Sequence, residues 1–298
     1  MGQSVESRLS IWAGAARPKT LPAAIAPVVV GTAMAYGEGA AHWPSAVCAL
    51  VGAVLIQIGT NLANDYFDFV KGTDTAGRLG PTRATQAGLV TPTAMRRAAA
   101  LVFGAVLIPG AYILWRGGVP FLVIGVLSIL CGVLYTAGPC PIGYVGLGDA
   151  FVLVFFGPVA VAGTYYLQAR AVTANAVLSG VAVGLLAVAL LTVNNLRDID
   201  EDRAAGKRTL AVRFGRTFAR IEYTACLAGA ALVIPGYLYA VTGRYLFGLI
   251  PIAIFVTALP ALRCVWTQTS GPVLNRLLAT TGKLLLAYGI LFAAGWAL

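Results

Sequence analysis

Residues 43–69 read WPSAVCALVGAVLIQIGTNLANDYFDF, a largely apolar run followed at once by a polar cluster. The run 43–60 supplies most of a membrane-spanning helix, because about 20 helical residues cross the hydrocarbon core. The polar side chains that follow it are Asn61, Asn64, Asp65 and Asp68. Such groups are costly near hydrocarbon and usually mark a binding site or a pathway. The stretch therefore predicts a membrane span with a functional site at its end.

The composition of the whole chain indicates a membrane protein with several spans. Its 298 residues are 59% hydrophobic and 11% charged, and the mean hydropathy is +0.83. Soluble domains carry roughly 25% charged residues. No cleavable signal and no separate soluble domain are evident, so we expect residues 1–298 to form a single transmembrane domain.

Nine apolar segments can be marked along the chain. They are residues 21–36, 43–63, 98–115, 119–135, 151–167, 171–191, 224–241, 245–261 and 277–298. They are rich in Leu, Val, Ala and Gly without strict alternation, which favours helices over barrel strands. The expected fold is an all-α integral membrane protein, a bundle of about nine transmembrane helices.

The lysines and arginines are strongly biased toward one side of such a bundle. If the spans alternate in direction, only Arg116, Arg170 and Arg244 among the 21 basic residues lie opposite the N-terminus. The remaining eighteen lie on the N-terminal side, which the positive-inside rule makes cytoplasmic. Topology therefore explains the net charge of +10, and we expect no nucleic-acid partner.

Two acidic clusters resemble each other. NLANDYFDFVKG (61–72) and NLRDIDEDRAAG (195–206) share Asn-Leu at the start, Asp at the eighth position and Gly at the twelfth, with an offset of 134 residues. Each cluster follows an even-numbered span, so both should face the cytoplasm. The repeat predicts two related halves of four helices each, with one further helix appended.

At helical spacing, each cluster places three polar side chains on one face. The two stripes are Asn61, Asn64 and Asp68, and Asn195, Asp198 and Asp202. Two facing carboxylate clusters repel each other, and Mg²⁺ relieves this because it prefers carboxylate and amide oxygens together with phosphate. The basic side chains nearby, which suit phosphate oxygens, are Lys71, Arg78, Arg83, Lys207 and Arg208. The sequence therefore predicts a site for a Mg²⁺-bound diphosphate.

An ion-coupled transporter is the alternative from another class, because acids at a repeat interface can bind a transported cation. It predicts acids buried in mid-span, whereas these lie at span ends among bases and glycines. A His/Cys metal site is not expected, because the five cysteines form no CxxC pair and the single histidine, His42, falls in a short loop on the other side.

Four stretches resemble the UbiA superfamily of membrane-embedded aromatic prenyltransferases. They are NDYFDFVKGTDTAGRLGPTRATQAGL (64–89), YTAGPCPIGYVGLGD (135–149), FFGPVAVAGTYYLQ (155–168) and NNLRDIDEDRAAGKRTLAVRFG (194–215). In that family, two Asp-rich motifs hold an isoprenyl diphosphate through Mg²⁺. The resemblance implies a Mg²⁺-dependent polyprenyltransferase of the bacterial cell (inner) membrane, with its active site facing the cytoplasm and its motif loops at 61–93 and 194–216.

The resemblance also implies roles for individual residues. The implied Mg²⁺ ligands are Asn64, Asp65, Asp68, Asp74, Asp198 and Asp202. The implied diphosphate-binding residues are Asn64, Lys71, Arg83, Asn194, Asn195, Lys207 and Arg208. The implied catalytic acids are Asp65, Asp68, Asp198, Asp202 and Asp149. The family often has another Asp four residues after the one matching Asp68, but Gly72 stands there, and Asp74 is the candidate substitute.

Within the family, the same stretches more specifically resemble members that act on 1,4-dihydroxy-2-naphthoate in menaquinone biosynthesis. The implied reaction joins a polyprenyl chain to that acceptor with loss of diphosphate and CO₂, giving demethylmenaquinone. Sister enzymes that act on 4-hydroxybenzoate or homogentisate are the alternative, because they share the Asp-rich motifs. The length of the chain and the oligomeric state stay open.

Two further roles stay open at this point. Asp149 is a candidate contact for the acceptor or a candidate proton acceptor. Four tyrosines are candidates to shield an allylic cation by cation–π contact, and equally candidates for ordinary anchors at the membrane interface. They are Tyr135, Tyr144, Tyr165 and Tyr166.

Overall fold

The structure is a computed structural model that describes residues 7–73, 79–244 and 246–297, without the side chains of residues 246–249, 251 and 252. Every regular element in these ranges is helical. In chain order the helices are α1 (Arg8–Ala15), α2 (Pro22–Gly37), α3 (Trp43–Val70), α4 (Pro92–Ala105), α5 (Leu107–Gly117), α6 (Val119–Leu134), α7 (Gly148–Val154), α8 (Ala160–Ala169), α9 (Ala174–Arg197), α10 (Ile199–Ala204), α11 (Leu210–Ala228), α12 (Ile234–Thr242), α13 (Leu246–Thr267) and α14 (Gly271–Ala297). Short π-helical turns join α7 to α8 and α11 to α12.

Among the described residues, six helical segments are long and apolar enough to cross a membrane. They are Trp43–Val70, Pro92–Gly117, Gly148–Ala169, Ala174–Arg197, Leu210–Thr242 and Gly271–Ala297. A seventh candidate is the pair Arg8–Thr20 and Pro22–Gly37, which is bent by 53°. Val119–Leu134, which is α6, and the part Ala253–Thr267 of α13 are shorter apolar stretches. The all-helical membrane fold is confirmed, whereas the count of nine spans stays a prediction.

The boundaries differ most from the sequence prediction at the segment 224–241. The helical segment begins earlier, at Leu210, because the arginine-bearing stretch before residue 224 folds as an amphipathic helix rather than as a loop. Hydropathy alone does not detect such a stretch, since its polar face lowers the mean over the window.

α9 lies at the centre of the bundle and contacts α2, α7, α8, α11 and α14. Its glycines allow this, because small residues let helix backbones approach closely in membranes. A Cβ atom on Gly180 would lie 2.6 Å from the Cα of Pro158, and one on Gly184 would lie 2.5 Å from the carbonyl oxygen of Leu153. The close packing holds the break between α7 and α8 against α9, where Gly157 leaves helical geometry (φ −102°, ψ −110°).

The chain before α2 is held against the last helix. A Cβ atom on Gly282 of α14 would lie 2.8 Å from the carbonyl oxygen of Lys19, so only glycine permits this approach. Arg17 precedes the 3₁₀ turn Pro18–Thr20 with a left-handed backbone (φ +53°), which is uncommon for a residue other than glycine. The turn thereby carries Arg17 and Thr20 to the region where α3 ends.

The opposite end of the bundle is joined by a separate set of polar contacts. The hydroxyl of Tyr165 donates to the carboxylate of Glu38, and the backbone N–H of His42 donates to Oε1 of Gln168 over 3.2 Å. Nε of Arg116 donates to the carbonyl of Leu167 over 3.2 Å. None of these contacts involves the Asp-rich motifs, so the two ends of the bundle are chemically distinct.

Candidate active site

The first Asp-rich motif forms the last turns of α3, which continues without a break to Val70. Asn61, Asn64, Asp65 and Asp68 are all buried there. Nδ2 of Asn61 donates to the carbonyl of Ala16 (2.9 Å), and Oδ1 of Asn64 accepts from the hydroxyl of Thr136 (2.9 Å). The predicted polar stripe therefore exists on one continuous helix.

Asp65 supports the loop that follows α3. Its Oδ2 and Oδ1 accept hydrogen bonds from the backbone N–H groups of Ala84 and Thr85, both over 3.1 Å. Its side chain lines neither the polar cavity between the motifs nor the apolar cavity beside it. The geometry therefore gives Asp65 a positioning role for the segment that carries Arg83, and its role as a Mg²⁺ ligand stays a prediction.

Asp68 is the acid of this motif that bonds side chains from two other loops. Its Oδ2 pairs with Nη2 of Arg83 at 3.0 Å, and its Oδ1 accepts from the hydroxyl of Tyr144 at 2.6 Å. Both Asp68 and Arg83 are buried. Charge-assisted bonds of this kind are strong away from water, and removing one partner leaves a costly buried charge.

The second motif spans the end of α9 and the start of α10. α9 ends at Arg197, and its guanidinium donates from Nε and Nη2 to the two oxygens of Asp198 at 2.6 and 2.5 Å. Nη2 also donates to Oδ1 of Asn194 at 2.8 Å. The sequence prediction does not include Arg197 as a site residue. The repeat gives a sequence signal for Arg197. At the matching position of the first cluster stands the small, uncharged Ala63, so the second cluster carries a charge there that the first cluster lacks.

Tyr144 connects the two motifs. Nζ of Lys207 lies 4.8 Å from the centre of its ring, and Nζ of Lys71 lies 5.0 Å from the same centre. Lys207 also pairs with Asp202, with Nζ and Oδ1 at 3.2 Å. Partial burial, with a smaller contribution from Lys207, lowers the pKa of Lys71, while Asp68 opposes this shift.

A polar cavity of about 80 Å³ lies between the motifs. Its acidic and basic side chains are Asp68, Asp198, Asp202, Arg17, Arg83 and Lys207. Each of the three carboxylates already has a cationic partner, which is Arg83 for Asp68, Arg197 for Asp198 and Lys207 for Asp202. A diphosphate that enters must therefore compete with these carboxylates for the cations, and additional positive charge would favour its binding. Asn64, Asn194 and Asn195, three of the residues predicted to bind diphosphate, also line this cavity.

An apolar cavity of about 400 Å³ adjoins the polar one. The two share Arg17, Asn64, Tyr135, Leu191 and Asn194 as walls. The break between α7 and α8 places Phe151, Phe155 and Phe156 along the apolar cavity. A molecule with an anionic head and an apolar tail would match the pair of cavities.

Several predicted residues lie elsewhere. Asp149 is buried but lines neither cavity, and its Oδ1 accepts no hydrogen bond from the described residues. The side chain of Arg208 is exposed, and only its backbone N–H bonds Tyr144. Tyr165 and Tyr166 lie outside both cavities. Asp74 falls outside the described residues.

The oxygen donors around the polar cavity fit Mg²⁺. Within the described part of the chain, no three His, Cys, Asp or Glu side chains already form a metal cluster. The carboxylates of Asp68, Asp198 and Asp202 pair with Arg83, Arg197 and Lys207. Carboxylate and amide oxygens with a phosphate ligand are nevertheless the set that Mg²⁺ prefers, and a diphosphate supplies the missing oxygens.

These features define the class of the protein as a helical integral membrane protein in which a charged cavity adjoins an apolar one. The chain belongs to the UbiA prenyltransferase family, whose model matches residues 24–280.

Curated relatives are similar along almost their whole length. The chain is 41% identical to 1,4-dihydroxy-2-naphthoate octaprenyltransferase of Escherichia coli (strain K12), covering 97% of this chain and 96% of that one. It is 41% identical to the protein of the same name from Mycobacterium tuberculosis (strain ATCC 25618 / H37Rv), with 96% of each chain covered. A UbiA homolog from Archaeoglobus fulgidus, solved with DMAPP and Mg²⁺, shares the fold with a TM-score of 0.64 at 16% identity, covering 95% of this chain and 99% of that one.

Proposed function

We propose that the protein transfers a polyprenyl chain from polyprenyl diphosphate to 1,4-dihydroxy-2-naphthoate, releasing diphosphate and CO₂ and giving demethylmenaquinone in its hydroquinone form. The observation that carries prenyl transfer is the junction at Asn64 and Asn194, where the charged cavity meets the apolar one. The choice of acceptor is supported by the names of the relatives and by the high identity to them over nearly the full chain.

In this proposal the polar cavity binds the diphosphate. Arg83 and Lys207 donate to its oxygens, and their bonds to Asp68 and Asp202 are exchanged in part for bonds to phosphate. The residues that would hold Mg²⁺ are Asn64, Asp68, Asp198 and Asp202. When bound, this ion supplies positive charge to the oxygens of the leaving diphosphate. The Archaeoglobus fulgidus neighbour solved with DMAPP and Mg²⁺ supports this use of the fold.

The reaction then takes place at the junction of the cavities. The allylic C–O bond breaks and its electron pair leaves with the diphosphate. Tyr135 lines both cavities at this junction, so its ring is the candidate to shield the allylic cation by cation–π contact. The ring carbon that carries the carboxylate forms the new C–C bond to the allylic cation. Its bond to the carboxylate then breaks, CO₂ leaves, and the electron pair of that bond restores the aromatic ring. No base has to remove a ring proton, which agrees with the position of Asp149 outside the cavities.

The acceptor choice is tested by offering purified enzyme three aromatic acids with the same long-chain polyprenyl diphosphate. We expect 1,4-dihydroxy-2-naphthoate to give a kcat/KM at least about 100-fold above those for 4-hydroxybenzoate and homogentisate, because a site that bonds two rings and their hydroxyls loses contacts with a single ring. Product formation is measured by chromatography. Preference for either single-ring acid would support a sister enzyme instead.

We further propose that residues 1–298 form one domain of nine spans, two related four-helix halves plus one helix, with the active site facing the cytoplasm. Support comes from the excess of basic residues on the side that carries both motifs.

Thiol labelling tests this orientation. A variant that keeps the exposed Cys140 as its only cysteine should react with an impermeant reagent only in inverted vesicles. A cysteine-free background carrying Val172→Cys should react only in right-side-out cells, since Val172 is exposed at the opposite end. Labelling of both positions from the same side would refute the proposed topology.

A further inference from the structure

Three polar side chains stand together inside the apolar cavity. Thr20, Gln57 and Asn61 all line it, on the wall formed by α3 and the 3₁₀ turn before α2. Gln57 and Asn61 are one helical turn apart, so they lie on the same face of α3. Burying an amide in an apolar environment costs free energy unless its polar atoms form hydrogen bonds. The proposed prenyl transfer uses none of the three.

Their hydrogen bonds fix which end of each amide faces which way. The hydroxyl of Thr20 donates to the carbonyl of Arg17 over 3.0 Å, so this oxygen can only accept from the amides. Nε2 of Gln57 donates to it over 3.2 Å, and Nδ2 of Asn61 donates to it over 3.1 Å. Nδ2 of Asn61 also donates to the carbonyl of Ala16 over 2.9 Å, and a carbonyl has no hydrogen to give. The NH₂ groups are therefore committed to Thr20.

The two amide oxygens remain available. Among the described residues, none donates a hydrogen bond to Oε1 of Gln57 or to Oδ1 of Asn61. The wall of the cavity formed by α3 thus carries two amide oxygens that have no donor among the described residues, about 5–6 Å apart if they follow the Cβ spacing of an i, i+4 pair. The fitting ligand is an apolar ring that carries hydroxyl donors. An isoprenoid tail has no such donor.

We propose that Gln57 and Asn61, oriented by Thr20, bind the ring hydroxyls of the aromatic acceptor and so select a dihydroxylated ring. This inference rests on the proposed function and adds a recognition site to it. Asn61 lies three residues from Asn64, a rise of about 4.5 Å along the helix, so a ring held here lies beside the junction of the two cavities. Thr20 is a positioning residue, because it acts through the two amides.

The test compares the dissociation constants of two ligands for purified protein. 1,4-Dihydroxy-2-naphthoate carries both hydroxyls, and 2-naphthoate has the same two rings and carboxylate without them. Gln57→Leu removes the acceptor at nearly constant volume. We expect it to weaken binding of the dihydroxy compound about tenfold or more and to leave 2-naphthoate within about twofold, since only the former loses a hydrogen bond.

Thr20→Val is the second variant, and it retains side-chain volume while freeing the amides to rotate. We expect a smaller loss, about threefold to tenfold, again confined to the dihydroxy compound. Thr280→Val is the matched control, because Thr280 is exposed on α14 and, among the described residues, its hydroxyl bonds only the Arg276 carbonyl of its own helix. It should change neither constant.

Equal weakening of both ligands in Gln57→Leu, or no weakening of either, would overturn the inference. In that case wild-type turnover of 1,4-dihydroxy-2-naphthoate would still support the proposed function. If the wild-type protein neither binds nor prenylates this acid, the proposed function itself fails and the inference falls with it.

Discussion

Replacing Asp68 with asparagine is expected to lower kcat about 100-fold or more, comparable to the loss of a major electrostatic stabiliser. The change removes a charge but almost no volume. Asp68 bonds Arg83 and Tyr144 on the wall of the polar cavity, so its charge positions the Arg83 guanidinium beside the leaving diphosphate. Asp202→Asn should have a similar effect through Lys207. The measurement is single-turnover prenyl transfer with saturating substrates.

Two acids serve as matched controls for this result. Asp200 belongs to the same motif as Asp202, but it lies outside both cavities and pairs with Arg203 and Arg216 at the surface. Glu38 lies at the opposite end and accepts a hydrogen bond from Tyr165, which glutamine can still accept. Asp200→Asn should keep activity within about twofold of wild type, because exposed ion pairs contribute little free energy. Glu38→Gln should also stay within about twofold, because it retains the acceptor for Tyr165 far from the motifs. If Asp200→Asn loses as much activity as Asp68→Asn, the cavity has no special role.

Removal of divalent cations should abolish turnover, with a loss of about 1,000-fold or more, because metal charge on the leaving group supplies several kcal/mol. Added Mg²⁺ should restore it. The reason is the charge balance of the polar cavity, where acids and bases are already paired when a diphosphate arrives. Undiminished turnover after exhaustive chelation would contradict this account of the site.

The Mg²⁺ requirement also separates the roles of two neighbouring acids. Asp202→Asn should raise the Mg²⁺ concentration that gives half-maximal activity, because Asp202 lines the cavity. Asp65→Asn should leave that concentration unchanged, because both oxygens of Asp65 bond the backbone at Ala84 and Thr85. It should instead make the segment after Leu79 more sensitive to protease.

The amino-acid sequence is informative where polarity conflicts with the membrane. Polar groups at a span end have a clear energetic cost, so the positions of Asn64, Asp68, Asp198 and Asp202 in the chain make them candidate site residues. The structure places all four on the wall of one cavity. The helical spacing of the first stripe is also predictable, because α3 is regular to Val70. The family and its prenyl-transfer chemistry agree with the comparisons.

Other features depend on packing between distant segments, which one sequence does not encode locally. The break at Gly157 requires Gly180 of α9, and neither glycine alone predicts a close crossing. Asp65 and Asp68 look equivalent in the motif, and only the path of the later loop turns one toward backbone amides. Arg197 resembles the basic residues that set topology, and Gln57 is hidden within an apolar run.

The most direct test of the proposed reaction follows the carboxyl carbon of the acceptor. Membranes containing the protein are supplied with Mg²⁺, a long-chain polyprenyl diphosphate and 1,4-dihydroxy-2-naphthoate labelled in its carboxyl group. We expect labelled CO₂ to be released in equal amount to unlabelled prenylated product, with neither formed by the Asp68→Asn membranes above a background about 100-fold lower. A prenylated product that retains the label would contradict the account.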